Sequence, residues 1–407
     1  MAMLLIWLAP PAMLASEPTQ DWSRQIGQQG QGGAYISASP VYDNGRLYVC
    51  SYDGVIYALL TQNGLPTWKY NAGTTVFSTP VFRDDTLYVG TSNGTFYALD
   101  ALWGKEKWRF KAKANVDSTP LILNGNVYLG SDDTFVYALD PGSGSELWNC
   151  SVGGGISTAL EDYEDVIYAS TSDGKVVAID PYKGKVKWTS DVGERAYSPL
   201  ASGGDLFLGT YDGYLLCLEH YLGSVKWKSP TGGAVNSRPA AYGSNVYVGS
   251  WDGNLYCFNA TNGKVVWKYQ TGGPIKASPV IDKAKGIVYV GSGDNYLYAV
   301  DAGLGLPYWK YKADSPVYST PILVGNKVYF CSYGTSGGGG TVYSLTLPDT
   351  LARVTPTPGP SITPTAAPTP TPVVATTLPP TPKASPGCPW PAVLLALAVA
   401  YAFYRER

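Results

Sequence analysis

Few side chains in this sequence can do covalent or metal chemistry. There is one histidine, His220, and there are six cysteines, no two of them adjacent. A serine triad needs an imidazole base, and His-rich zinc sites or a haem on Cys-x-x-Cys-His need imidazole ligands, so one His all but removes those classes. Asp53, Asp173, Asp212 and Asp252 each precede a glycine, the pattern of turn formers, and no Asp-x-Asp-x-Asp ladder suggests calcium. No catalytic residue and no metal ligand is therefore assigned, and His220 is expected as an exposed loop residue. Asn93, Asn149 and Asn259 open Asn-x-Ser/Thr triplets and are candidate glycosylation sites.

The elements that must position any site are β-rich. The chain has 47 Gly, 32 Tyr and 12 Trp but three Met, all within the first thirteen residues, which is not the composition of a long helical protein. Lys and Arg number 29 against 31 Asp and Glu, a net charge of -2, so no cationic surface is available for nucleic acid.

The body is an internal repeat. Trp68, Trp108, Trp148, Trp188, Trp227, Trp267 and Trp309 recur at steps of 39 to 42 residues, and each follows a glycine by four positions (Gly64, Gly104, Gly144, Gly184, Gly223, Gly263, Gly305). Between them lie short β-branched and aromatic runs separated by Asp-Gly, Asn-Gly or Gly-rich turns, four runs per forty residues, which describes a four-stranded antiparallel meander. Repeated radially, that sheet is a propeller blade. Pro40, Pro80, Pro120, Pro199, Pro239, Pro279 and Pro321 open units, with Leu160 in the fourth slot, giving eight. The eighth unit lacks a closing Trp, while Trp22 belongs to no unit. The expectation is an all-β, eight-bladed β-propeller of four-stranded antiparallel blades over residues 21–348, the last blade closed by the N-terminal strand around Asp21–Ile26, with all eight tryptophans as docking residues.

The pattern Ala-x-Asp-x3-Gly-x3-Trp is complete at Ala98/Asp100/Gly104/Trp108, Ala138/Asp140/Gly144/Trp148 and Ala178/Asp180/Gly184/Trp188. It resembles the tryptophan-docking repeat of PQQ-like propellers, a group that holds quinoprotein alcohol dehydrogenases and the outer-membrane assembly lipoprotein of Gram-negative bacteria. A WD40 repeat would want a Gly-His in each blade. The dehydrogenase resemblance implies an adjacent cysteine pair over the quinone and loop insertions around it, and this chain has neither. The expected function is thus a non-catalytic interaction scaffold without cofactor, with a PQQ-dependent oxidoreductase as the alternative.

Positions repeated in every blade are explained by packing, so departures mark candidate sites. Asp117, Arg195, Asn236, Arg238 and Lys276 depart from their repeat equivalents near the start of an innermost strand, at the funnel mouth where PQQ-like propellers bind ligands. They are expected to form a mixed-charge rim for an envelope protein or glycan. In that alignment Arg195 occupies a slot otherwise β-branched (Ile36, Val76, Val116, Ile156, Val235, Ile275, Val317). Cys50 and Cys331 replace glycine and Cys217 and Cys257 replace alanine, so the cysteines are expected as buried free thiols.

Both ends read as address labels. Residues 1–16 suit a cleaved signal peptide. Residues 349–387 are a Thr/Pro-rich stalk, and 388–407 are an apolar anchor or sorting helix with a basic end. This tail resembles the archaeal PGF-type sorting signal, with Cys388 where that pattern has Phe. The expectation is an exported monomer on the outer face of an archaeal envelope, contacting the membrane through its C-terminal segment.

Overall fold

A computed structural model describes residues 17–27, 35–335 and 338–349. These form thirty-two strands, numbered in chain order from β1 (Thr19–Gln25) to β32 (Thr341–Thr346), arranged as eight four-stranded antiparallel sheets. Blade 1 is typical, with an inner strand β2 (Val41–Asp43), then β3 (Arg46–Cys50), β4 (Val55–Leu60) and an outer strand β5 (Pro66–Asn71). The eighth blade takes three strands from the C-terminal side, and its outer strand is β1, paired to β32 with Trp22 opposite Ser344. The N-terminal strand therefore closes the ring, as the unmatched Trp22 implied.

Burial follows from blades stacking face to face. Second and third strands are covered on both faces and read as unbroken apolar runs, such as Leu47, Tyr48, Val49 and Ile56, Tyr57, Ala58. Outer strands cover only one face and alternate accordingly. The clusters of buried side chains span neighbouring blades, for example Ile56 and Ala58 with Val89 and Leu99.

The tryptophan repeat has a direct physical cause. Each indole lies opposite a small residue of its own third strand, Trp68 facing Ala58 and Trp227 facing Cys217, which explains the Ala, Cys or Ser in that slot. It then reaches into the next blade, where its Nε1–H donates to a turn carbonyl: Trp68 to Ala101 at 2.9 Å, Trp108 to Pro141 at 2.8 Å, Trp188 to His220 at 3.0 Å. The glycine of that receiving turn has positive φ and lies flat on the incoming ring. A Cβ on Gly144 (φ +72) would stand 2.4 Å from Trp108 Cε3. Seven tryptophans, including Trp22 to Thr61, make this bond. Trp309 does not: its buried Nε1–H has no partner among the described residues. Its neighbour is the eighth blade, whose third and outer strands come from opposite ends of the chain rather than from one continuous turn.

His220 is a second departure from expectation. It is buried, with Nδ1 at 2.6 Å from the Gly204 carbonyl and its ring against Tyr221, while its own carbonyl receives Trp188. The docking turn holds it inside because the carbonyl it supplies is the one the incoming indole needs. Cys50, Cys150, Cys217, Cys257 and Cys331 are buried and free. Burial pushes the thiols of Cys217 and Cys257 up to about 12, so these are packing groups. The signal, stalk and anchor readings fall on residues outside those described.

Candidate functional site

Each blade presents two loops to one face of the ring: the turn between its second and third strands, and the segment leading into its inner strand. Hydrogen bonds tie these together blade by blade, as from Tyr52 N–H to Tyr35 and from Trp251 N–H to Ala234. They surround the mouth of a central channel of about 670 Å³. Its wall carries a ring of side chains just before the unit-opening prolines (Ser39, Thr79, Thr119, Ala159, Ser198, Arg238, Ser278, Thr320). Several of these hydroxyls accept the backbone N–H of the preceding blade, Thr79 from Ser39 at 3.2 Å and Ser39 from Thr320 at 3.0 Å.

The five rim residues do not form one cluster. Asp117 accepts from Ser92 at 2.8 Å, and burial, reinforced by nearby Asp132, pushes its carboxyl above the usual range. Asp132 is likewise raised by burial, against a lowering pull from Arg195. Arg195 is exposed, donates to Ser157 at 2.8 Å and lies over the Tyr197 ring. These residues make a polar sector of mixed charge on blades 2 to 5. On the other side, Asn236 accepts from Trp251 Nε1 at 2.8 Å, and Lys276 Nζ is 4.8 Å from the centroids of both Trp251 and Tyr318.

Arg238 is not on the rim. Its guanidinium runs along the channel wall, donates to the Pro199 carbonyl at 3.2 Å, and pairs with Glu161 of blade 4. Burial raises the Glu161 carboxyl, and Arg238 pulls it back only in part. Arg195 is also out of the slot assigned to it. Tyr211 N–H bonds the Arg195 carbonyl just as Trp251 N–H bonds that of Ala234, so Ala196, 1% exposed, fills the β-branched slot and Tyr197 faces the mouth. Blade 5 is one residue shorter in this segment, and an alignment on the proline hides the shift.

The larger feature was missed in the sequence: a row of aromatic rings around the remaining mouth. Phe77 packs on Tyr52 at 4.3 Å between centroids, Tyr35 stacks on Tyr333 at 4.7 Å, and Tyr333 meets Tyr318 at 5.5 Å. Through Lys276 the row passes to Trp251 and Tyr211. Phe77, Tyr211 and Trp251 are exposed. The signal existed in the residue after the Ser or Thr that follows each second strand, which runs Tyr52, Ser92, Asp132, Ser172, Tyr211, Trp251, Gly293, Tyr333 with no rule of packing behind it. Glu161 could have been found the same way, since Val41, Val81, Leu121 and Val280 occupy its slot in other blades.

A family profile described as outer membrane protein assembly factor BamB matches residues 15–154, 72–269 and 273–349. The chain belongs to this family. The BamB of Francisella salina is 34% identical over 71 residues, a stretch covering 16% of this chain and 14% of that protein. The crystal structure of BamB from Moraxella catarrhalis superposes with a TM-score of 0.68 at 18% identity, covering 81% of this chain and 100% of that one. The quinohemoprotein alcohol dehydrogenase of Comamonas testosteroni has the same fold, with a TM-score of 0.69 at 16% identity over 82% of this chain and 78% of that one. A quinone with its cation needs oxygen ligands converging on one point. Among the described residues no three His, Cys, Asp or Glu side chains come together so. The residues present do not fit that group.

Asn93 and Asn149 are exposed, and Asn259 is half-buried, its side-chain oxygen accepting the turn N–H of Thr261.

Proposed function

We propose that this chain is a non-catalytic scaffold that binds an envelope protein at the channel mouth, exported and tethered outside the cell by its C-terminal segment, in an archaeal envelope. The observation that carries the reading is the row of half-exposed rings with Lys276 held between Trp251 and Tyr318. Rigid aromatics lose little side-chain entropy on binding, and Trp and Tyr dominate the energetic centres of protein interfaces. The carboxylates Asp117 and Asp132, with Arg195 beside them, lie apart from the rings and would orient a segment carrying both apolar and charged side chains. Kinship with an assembly factor supports a protein over a glycan as the partner.

The test places a photo-crosslinking phenylalanine at Ser37 in the mouth, or at Gln62 on the far face, of the full chain in its native envelope. A discrete adduct from Ser37 that disappears when Trp251→Ala and Tyr318→Ala are added supports the reading. Adducts of equal yield from both positions, or an adduct that survives those substitutions, overturn it.

A further inference from the structure

The wall of the central channel carries one departure that the packing of the ring does not need. Just before the unit-opening residue, six blades hold a hydroxyl (Ser39, Thr79, Thr119, Ser198, Ser278, Thr320) and blade 4 holds Ala159, but blade 6 holds Arg238. Its counter-charge Glu161 takes a slot that is apolar in every other blade. An ion pair put in place of such residues adds little stability once both charges have lost water, so the pair calls for another reason.

Among the described residues, two charged side chains line the cavity, Arg238 and Lys283, and both are cationic. Within the pair, Glu161 is 12% exposed and Arg238 41%. Both carboxylate oxygens of Glu161 are taken, Oε1 by the Ala201 N–H at 2.9 Å and Oε2 by Arg238. The guanidinium is held through Nε on the Pro199 carbonyl and Nη2 on Glu161, and Nη1 has no acceptor among the described residues. The pair thus spends its acceptors on the wall and keeps a donor unspent beside the lumen. The hydroxyls add to this. Ser39, Thr79, Ser198 and Ser278 each accept a backbone N–H of the preceding blade, and none of the six donates to an acceptor among the described residues. A hydroxyl that accepts an N–H still has its own proton to give.

We infer that the channel below the mouth is a binding site for a carboxylate group, held by Arg238 Nη1–H and by hydroxyl protons of the ring, Ser198 first among them. A cation would meet Arg238 and Lys283 and find no unspent carboxylate on the wall. A monoanion fits better than a phosphate dianion, because Glu161 and Asp162 lie behind Arg238 and offset part of its charge; burial raises the Asp162 carboxyl and Arg238 pulls it back in part. Apolar wall residues such as Val41, Leu200 and Ile322 keep the field of the guanidinium from being screened. The hairpins at the far end carry Asp43, Asp84, Asp85, Glu164 and Asp165, none of which lines the cavity, so the anion enters from the mouth, where Arg195 and Lys276 stand with Asp117 and Asp132. A free acid and the chain end of a peptide both supply the group, and the test separates them.

Trifluoroacetate, a monoanion at all working pH values, would be titrated with the full chain and followed by fluorine NMR. Wild type should give a saturable shift that acetate reverses and acetamide does not. Arg238→Ser with Glu161→Val, which restores the residue types of the other blades and is checked for folding by circular dichroism, should bind more than about tenfold more weakly. Arg238→Lys keeps a charge for Glu161 but has no second nitrogen for the lumen, and should weaken binding several-fold. Displacement by acetyl-triglycine at far lower concentration than by acetate, with its C-terminal amide inert, assigns the site to a chain end; displacement at equal concentration assigns it to a free acid. No saturable shift, a shift that both Arg238 variants retain, displacement by acetamide, or tighter displacement by inorganic phosphate than by acetate each overturn the inference. No partner is present in this titration, so the crosslinking result at Ser37 stands or falls separately.

Discussion

Trp108 and Trp309 form a matched pair for measuring what indole docking contributes. Both are buried, at 8% and 5% exposure, and both pack on an adjacent tyrosine, Tyr88 and Tyr289, with ring centroids 5.8 and 5.7 Å apart. Only Trp108 has a carbonyl to bond, that of Pro141. Substituting Phe removes a similar amount of ring at each site, so the difference between the two variants isolates the hydrogen bond. A net bond of this type is worth about 1 kcal/mol, and Trp108→Phe should therefore lose about 1 kcal/mol more than Trp309→Phe. Gly144→Ala adds a second arm. Its Cβ would press on Trp108 from a left-handed backbone, costing about 2 to 4 kcal/mol from the conformational and overpacking terms combined. Combined with Trp108→Phe, whose smaller ring yields space, the total should fall short of the sum of the two by about 1 kcal/mol. Equilibrium urea unfolding followed by far-ultraviolet circular dichroism measures the four variants against the wild type. Equal losses for Trp108→Phe and Trp309→Phe would refute the docking argument, and strict additivity with Gly144→Ala would refute the contact.

Ring closure should be acid-sensitive through Asp21. Burial alone would raise its carboxyl, but hydrogen bonds from Lys327, Thr346 and Ser344 outweigh that and hold it below the usual range. A carboxyl lowered on folding stabilises above its unfolded value and loses that contribution as pH falls through the folded one. The urea midpoint of the wild type should thus drop more between pH 7 and pH 3 than that of Asp21→Asn, and parallel curves would remove the argument. In the channel, Arg238→Ser leaves Glu161 largely buried without its counter-charge and should cost about 2 kcal/mol, a figure reduced from that of a fully buried pair because Arg238 is 41% exposed. Arg238→Ser with Glu161→Val restores the residue types of the other blades and should unfold within about 1 kcal/mol of wild type; a double variant no better than the single one would show that the pair is not what holds this part of the wall.

The ring was legible in the sequence because every unit solves the same local problem. The forty-residue spacing, the glycine four residues before each tryptophan and the small residue across from it all follow from one indole entering the next blade, and the stray Trp22 was enough to close the circle. Even four of the free cysteines could be read, since Cys50, Cys217, Cys257 and Cys331 stand in slots that otherwise hold small side chains, whereas Cys150 shares its slot with Tyr70 and Phe110. The mouth was not legible to the same depth. Arg238 and Glu161 are 77 positions apart and meet only because closure brings blades 4 and 6 round one channel. The aromatic row joins residues from both ends of the chain, Tyr35 with Tyr333, for the same reason. Blade 5 shows the limit most clearly: one missing residue moves Ala196 inward and Arg195 out, and no spacing rule says which side of the gap will shift. Periodic local packing fixed the architecture, whereas contacts across the ring depend on how eight sheets close in space, which only the tertiary structure decides.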